Sequence, residues 1–255
     1  MRKIIAVALN TFRESIRDKI FYSLLAFAII MLSFSIVLSY LTIGDEIKIV
    51  KDFGLAAISL FGVLIAIFVG INLVYKEMEK RTIYVILANP ISRSQFVVGK
   101  YLGLSLTLLV EVVVMSLGLI VLCYMKQPQI AWDLFLAIVP IWFELQLILA
   151  IALLFSTFVS PFLSGLLTLA VFIVGHLTQD FRQLAENIDN TFVKKIADTL
   201  YYIFPNLETL NFKTSVVHGL DILPGDFIFS VGYSIAYTLL LLCLALIIFE
   251  KRDIR

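Results

Sequence analysis

Six apolar runs, each near the length that crosses a lipid bilayer, constrain this chain more than any motif does. They fall at Ile20–Leu41, Phe53–Tyr75, Leu102–Tyr124, Leu134–Phe155, Phe162–Leu177 and Phe227–Phe249. A spanning helix needs about 20 apolar residues, and it satisfies its own backbone where no water is present to do so. Five of the runs meet that length comfortably. The fifth holds 16 residues, reaching only about 24 Å as a helix, so it is expected either to extend into polar neighbours or to be a partial, re-entrant element. Of 255 residues 61% are hydrophobic and 15% charged, more apolar surface than a soluble domain of this size can bury. The expected fold class is an all-α polytopic membrane protein with six transmembrane helices.

The segments between the runs carry the remaining information. Residues 1–19 hold Arg2, Lys3, Arg13, Arg17 and Lys19, with Ile4, Ile5, Leu9, Phe12 and Ile16 on one helical face. A signal peptide would show a longer apolar core and a small-residue cleavage site. An interfacial helix at the inner membrane surface fits this pattern better. Lysine and arginine divide 13 to 7 between alternate connections, which by the positive-inside rule places both termini in the cytoplasm of a multi-pass plasma-membrane protein. Residues 178–226 then form an external segment. In it Leu184, Ile188, Phe192, Ile196, Leu200 and Phe204 recur every four residues, the mark of one amphipathic helix over 181–204. Pro205 stops that helix. An external cap over the bundle is the favoured reading, ahead of a substrate-receiving domain.

The long charge-rich stretch with helical character in the first two thirds of the chain is 76–100. Lys76, Glu77, Glu79, Lys80 and Arg81 form a mixed-charge turn, and Met78, Thr82, Ile83, Ile86 and Leu87 follow at helical spacing. Asn89-Pro90 ends that helix, and Ser92 with Gln95 has capping-box spacing for a second one. Arg93 and Lys100 flank the restart. A helix, a break and a helix with a charged rim suit a soluble partner. A solvated loop explains the basic residues but not the interleaved acids.

Motifs for chemistry are sparse. Gly99-Lys100 lacks the upstream glycine of a phosphate loop, no HExxH occurs, and His176 and His218 are the only histidines. Nothing in composition or charge pattern points to nucleic acid. Glu111 and Glu144, the latter close to Gln146, lie inside spans with no lysine or arginine in any span core. Intramembrane acids line pathways or carry protons in many membrane proteins. Alternatively, such a carboxyl takes up a proton and packs at a helix contact. Gly62, Ala66 and Gly70 form small-xxx-small pairs, and Asn72 stands one turn before the charged loop; packing is the default for all four. Cys123, Met125 and His176 near span ends are soft ligand types suited to Cu(I). Packing as apolar side chains is the default for the sulfurs, and no metal site is assigned.

The run Glu77 to Lys100, with acids before Thr82, an apolar helix, Pro90, Ser92-Arg93 and Gly99-Lys100, resembles the cytoplasmic coupling segment of ABC-type exporter permeases with six-span membrane domains. Arg81 stands where many members have glycine. Lys80-Arg81-Thr82, Asn10–Lys19 and Tyr202–Glu208 are similar to the branch for multi-copper enzyme and nitrous oxide reductase maturation. The resemblance implies a single permease domain over 1–255, with 1–19 as elbow helix and 76–100 as coupling region. It implies docking of a cytoplasmic ABC ATPase through Glu77, Glu79, Lys80, Arg81, Thr82, Pro90 and Arg93, and a second permease copy. An external substrate-delivery protein is a further expected partner. ATP and Mg²⁺ would sit on the ATPase, with no cofactor on this chain and no catalysis by it. Export is the implied direction. Glu111, Glu144, Gln146 and Asn72 are the pathway candidates. The main alternative is a non-transport membrane anchor or assembly factor for an enzyme-maturation complex. A channel or secondary carrier and an intramembrane enzyme are weaker rivals.

Overall fold

The computed structural model describes residues 2–40, 45–79, 92–129, 131–186 and 191–251, with only the backbone described at 72–79, 186 and 191. All regular elements among the described residues are helical. In chain order they are α1 (Arg2–Ile16), α2 (Lys19–Tyr40), α3 (Glu46–Glu79), α4 (Arg93–Lys126), α5 (Leu134–Ser156), α6 (Pro161–Glu186), α7 (Thr191–Ile203), a 3₁₀ turn (Glu208–Leu210), α8 (Lys213–His218) and α9 (Pro224–Lys251). Six of them, α2 to α6 and α9, are long and apolar enough to span a membrane. The expected all-α, six-span class is therefore met.

Burial divides the spans into two kinds. Helices α3 and α5 are buried over most of their length, whereas α2, α6 and α9 are buried over about a quarter. In lipid this means that α5, packed against α3, α4, α6 and α9, forms the axis, while the others present Phe27, Ile30, Phe162, Leu166, Ile228 and similar side chains outward. Exposure of such residues is ordinary where the solvent is hydrocarbon. Small residues bring the central helices together. A Cβ on Gly62 would fall 2.5 Å from Leu145 Cδ1, and one on Gly70 would fall 3.3 Å from Leu149 Cδ1. The small-residue stripe of α3 thus serves contacts inside the bundle.

Helix α1 docks by the same device. Cβ atoms on Gly99 and Gly103 would meet Val7 Cβ at 2.7 Å and the Ala8 carbonyl at 2.5 Å. Ala8, Thr11 and Ser15 are buried, while Ile5 and Leu9 stay exposed. Helix α1 therefore lays its small-residue face on α4, with Ile5 and Leu9 exposed and Ile4, Phe12 and Ile16 half-buried. At the same end of the bundle, Ser92 and Gln95 make the expected capping box, starting α4 at Arg93.

The opposite end is tied by ion pairs between segments distant in sequence. Lys126 Nζ lies 2.6 Å from Glu46 and 3.7 Å from the Tyr40 ring centroid, and Lys51 Nζ lies 2.5 Å from Asp133.

Of the two readings of the fifth span, extension into polar neighbours holds: α6 runs from Pro161 through Glu186, 26 residues, because the polar stretch His176–Asp180 interrupts the hydropathy without interrupting the helix. The first residues assigned to the external segment 178–226 thus continue that span's helix, and that boundary needs correction. A second correction concerns residues 181–204, which do not make one helix. In a continuous helix Arg182 and Asp198 would stand about 24 Å apart along the axis. Instead Arg182 Nε lies 3.5 Å from Asp198 Oδ1, and the guanidinium sits 4.5 Å from the Tyr201 ring centroid. The α7 helix folds back on α6, and both apolar faces carry the same four-residue spacing.

Beyond α7 the chain turns inward. Asn206, Leu207, Leu210, Val216 and Val217 are all buried. The Leu207 N–H donates to the Gly175 carbonyl at 3.1 Å, and the Asn206 N–H donates to the Tyr233 hydroxyl at 3.0 Å. The re-entrant element of this fold is therefore residues 205–218.

Candidate functional site

The interior polar residues separate onto different faces of α5. Glu144 is the eleventh of its 23 residues, about 15 Å from one end and about 18 Å from the other, near the middle of a bilayer. Gln146 lies two residues on, roughly 200° around the helix, and faces α4, where the Tyr101 hydroxyl donates to its Oε1 at 3.1 Å. Pro140, one turn before Glu144, removes a helical N–H; surrounding helices tolerate such breaks in membrane bundles.

Glu144 is fully buried, and its Oε1 lies 2.8 Å from His176 Nε2. On the other side of the ring, His176 Nδ1 lies 3.2 Å from Glu208 Oε2. Asn211 Nδ2 donates to Glu208 Oε1 at 2.9 Å. Phe172, one turn earlier on α6, meets the imidazole edge-on at 4.9 Å. Three segments thus converge: α5 supplies Glu144, α6 supplies His176, and the re-entrant turn supplies Glu208. The close fit at Gly175, where a Cβ would lie 2.8 Å from both Leu207 Cγ and the Pro205 carbonyl, lets that turn come near enough.

Glu111 lives differently. It is also fully buried, but neither carboxyl oxygen makes a hydrogen bond among the described residues. A Cβ on Gly62 would stand 3.2 Å from its Oε2, so the carboxyl is wedged against bare backbone of α3. Two acids that looked equivalent in sequence are therefore unlike.

The remaining candidates distribute as follows. Asn72, Glu77 and Glu79 lie on α3, but their side chains, like Lys80, Arg81, Thr82 and Pro90, lie outside the described residues. The Arg93 guanidinium donates to the carbonyls of Phe249 and Glu250 at 3.2 and 3.0 Å, engaging the carbonyl-rich end of α9, where a cation is favoured. Phe96 stacks on Phe249 beside it at 6.2 Å. Cys123 is buried and Met125 is three-quarters exposed, whereas both nitrogens of His176 face carboxylates on opposite sides of the ring. Among the described residues no three His, Cys, Asp or Glu side chains converge on a point that would hold a metal ion. Sequence reasoning missed Glu208 and Asn211. The available signal was the proline that turns the chain inward at 205, followed by apolar Leu207 and Leu210.

A multi-pass helical bundle with mid-membrane carboxyls and polar faces turned inward has the build of a transport protein. The model of the ABC-2 family transporter proteins matches residues 5–254, and the chain belongs to that family. It is a membrane permease component of an ABC transporter rather than its ATPase. No curated protein matches it.

Proposed function

We propose that this chain is the transmembrane permease subunit through which a separate cytoplasmic ATPase drives substrate across the membrane. Family membership over nearly the whole chain carries this reading. The supporting geometry is the pair α3 and α4. Each has 34 residues and so extends about 51 Å, well beyond a hydrocarbon core of about 30 Å. The apolar run of α3 ends at Tyr75, and its helix continues for four residues to Glu79. The charged segment 76–100 is thus joined at both ends to rigid helices that reach the bundle core, and a push on it moves both.

Arg93 adds a third lever, because it ties the start of α4 to the end of α9. Helix α9 in turn touches the backbone beside Glu144, with Ser234 Oγ donating to the Phe143 carbonyl at 2.9 Å. In this reading the coupling end is cytoplasmic, both termini lie there, and Glu77, Glu79, Lys80, Arg81 and Thr82 with Pro90 form the docking surface. ATP and Mg²⁺ bind the partner, and two permeases assemble with two ATPases. Export is the direction, and Glu111, Glu144, Gln146 and Asn72 line or gate the path. The Lys80-Arg81-Thr82 form, together with 10–19 and 202–208, favours the multi-copper enzyme maturation branch, and an external delivery protein would meet the far end.

The test is affinity purification of the tagged chain, expressed with its neighbouring genes, in mild detergent. Co-elution of a P-loop protein, weakened by Glu79→Ala with Arg81→Ala at equal membrane insertion, supports the proposal. A clean preparation with no ATPase would transfer it to the anchor or assembly-factor alternative.

A further inference from the structure

We infer that Glu144, His176 and Glu208 form a proton relay that loads and unloads a carboxyl at the centre of the membrane from the far side of the bundle. Three ionisable side chains from three segments stand in hydrogen-bond contact, at 2.8 and 3.2 Å. Their side-chain exposure rises along the series from 0% at Glu144 to 19% at His176 and 34% at Glu208. Chains of this composition carry protons in membrane pumps and carriers. Glu144 Oε2 is buried and makes no hydrogen bond among the described residues, so the inner end of the chain keeps acceptor capacity that the fold does not use.

The remaining surroundings keep the route single. The charged and titratable groups acting on the ring are Glu144 from α5, Glu208 from the 3₁₀ turn and Lys213 from α8. Arg182 and Asp198, farther along the α6–α7 hairpin, engage each other. Asn211 holds Glu208 Oε1, leaving Oε2 aimed at the ring. Phe172 fixes the imidazole plane.

The step balances without a co-reactant. With His176 carrying its proton on Nε2, hydronium from the solvent protonates the Glu208 carboxylate and leaves as water, and Glu208 passes the proton to Nδ1. The Nε2 proton then moves to Glu144 Oε1, leaving a neutral ring protonated on Nδ1 and a neutral Glu144 carboxyl. Unloading retraces the same moves, so the ring never needs to rotate. Glu111, equally buried, has no such chain and takes no part.

The test uses the full chain alone in nanodiscs, without ATPase or substrate, so its outcome is independent of the ATP-coupling proposal. Rapid-scan infrared spectroscopy after a pH jump across the histidine range follows the carboxylic C=O band that Glu144→Gln removes. Glu111→Gln clears the signal of the other buried acid. We expect the Glu144 band to respond in wild type and to respond more slowly, on the order of tenfold or more, in Glu208→Gln and in His176→Phe. Glu208→Gln preserves side-chain shape and keeps the test decisive should the histidine variant fold poorly. A wild-type rate in Glu208→Gln, or a Glu144 band that does not respond to pH, would overturn the relay.

Discussion

Glu111 and Glu144 are the same residue type, equally inaccessible, on neighbouring helices of one bundle, yet their surroundings have nothing in common. Around Glu111 the structure is closed: α3 brings Gly62 against the carboxyl, and no polar group among the described residues hydrogen-bonds to it. Around Glu144 the bundle opens into a line of polar side chains ending at a partly exposed carboxylate. A buried acid is therefore defined by what distant segments deliver to it rather than by its own depth. The partners of Glu144 lie 32 and 64 residues downstream, one on α6 and the other on a turn that folds back into the bundle.

Four substitutions and one control press on that contrast. His176→Leu should do the most damage, because it leaves two carboxyls facing an apolar side chain. A loss of about 3 kcal/mol is expected from breaking a buried pair, read as a lowered unfolding midpoint in detergent; an unchanged midpoint would show that the contacts do not hold the re-entrant turn. Next, Gly62→Ala forces Leu145 and the Glu111 carboxyl aside and should cost about 2 kcal/mol, since the colliding leucine methyl can partly give way. Its counterpart Gly165→Ala, whose Cβ would meet Ile67 at an ordinary 3.5 Å, should leave the same unfolding curve in place. Tyr101→Phe removes the one side-chain hydrogen bond to Gln146 among the described residues and should lower stability by about 1 kcal/mol. The smallest effect is expected for Glu111→Leu: replacing an unsatisfied buried acid by an apolar side chain should be neutral or slightly stabilising. Marked destabilisation by that change would mean that Glu111 has a partner the described residues do not supply, and the contrast would fail.

Much of this fold was legible because membrane spans announce themselves by length. The boundaries of the second, third, fourth and last spans could be extended from structure but not displaced, and Ser92 with Gln95 marked the start of α4 through a local capping rule. What escaped was set by contacts between distant residues. His176 to Asp180 looked like the end of a span because hydropathy averages over a window, while the helix is held by its backbone and by α5. The spacing of Leu184 to Phe204 could not reveal a hairpin, since two helices in register show the same period as one. Leu207 and Leu210 sit among polar residues and read as loop, although both are fully buried. Hence Glu144 was recognised as a candidate, His176 only as an isolated soft ligand, and Glu208 not at all.

The central claim, that this permease is driven through its charged loop, is tested most directly by ATP hydrolysis of the co-purified complex in liposomes, comparing the intact chain with one whose residues 77–91 are replaced by a Gly/Ser linker of equal length. The account predicts steady hydrolysis that falls to the level of the isolated ATPase when the loop is replaced, with the permease still inserted and folded. Hydrolysis unchanged by the replacement would contradict it.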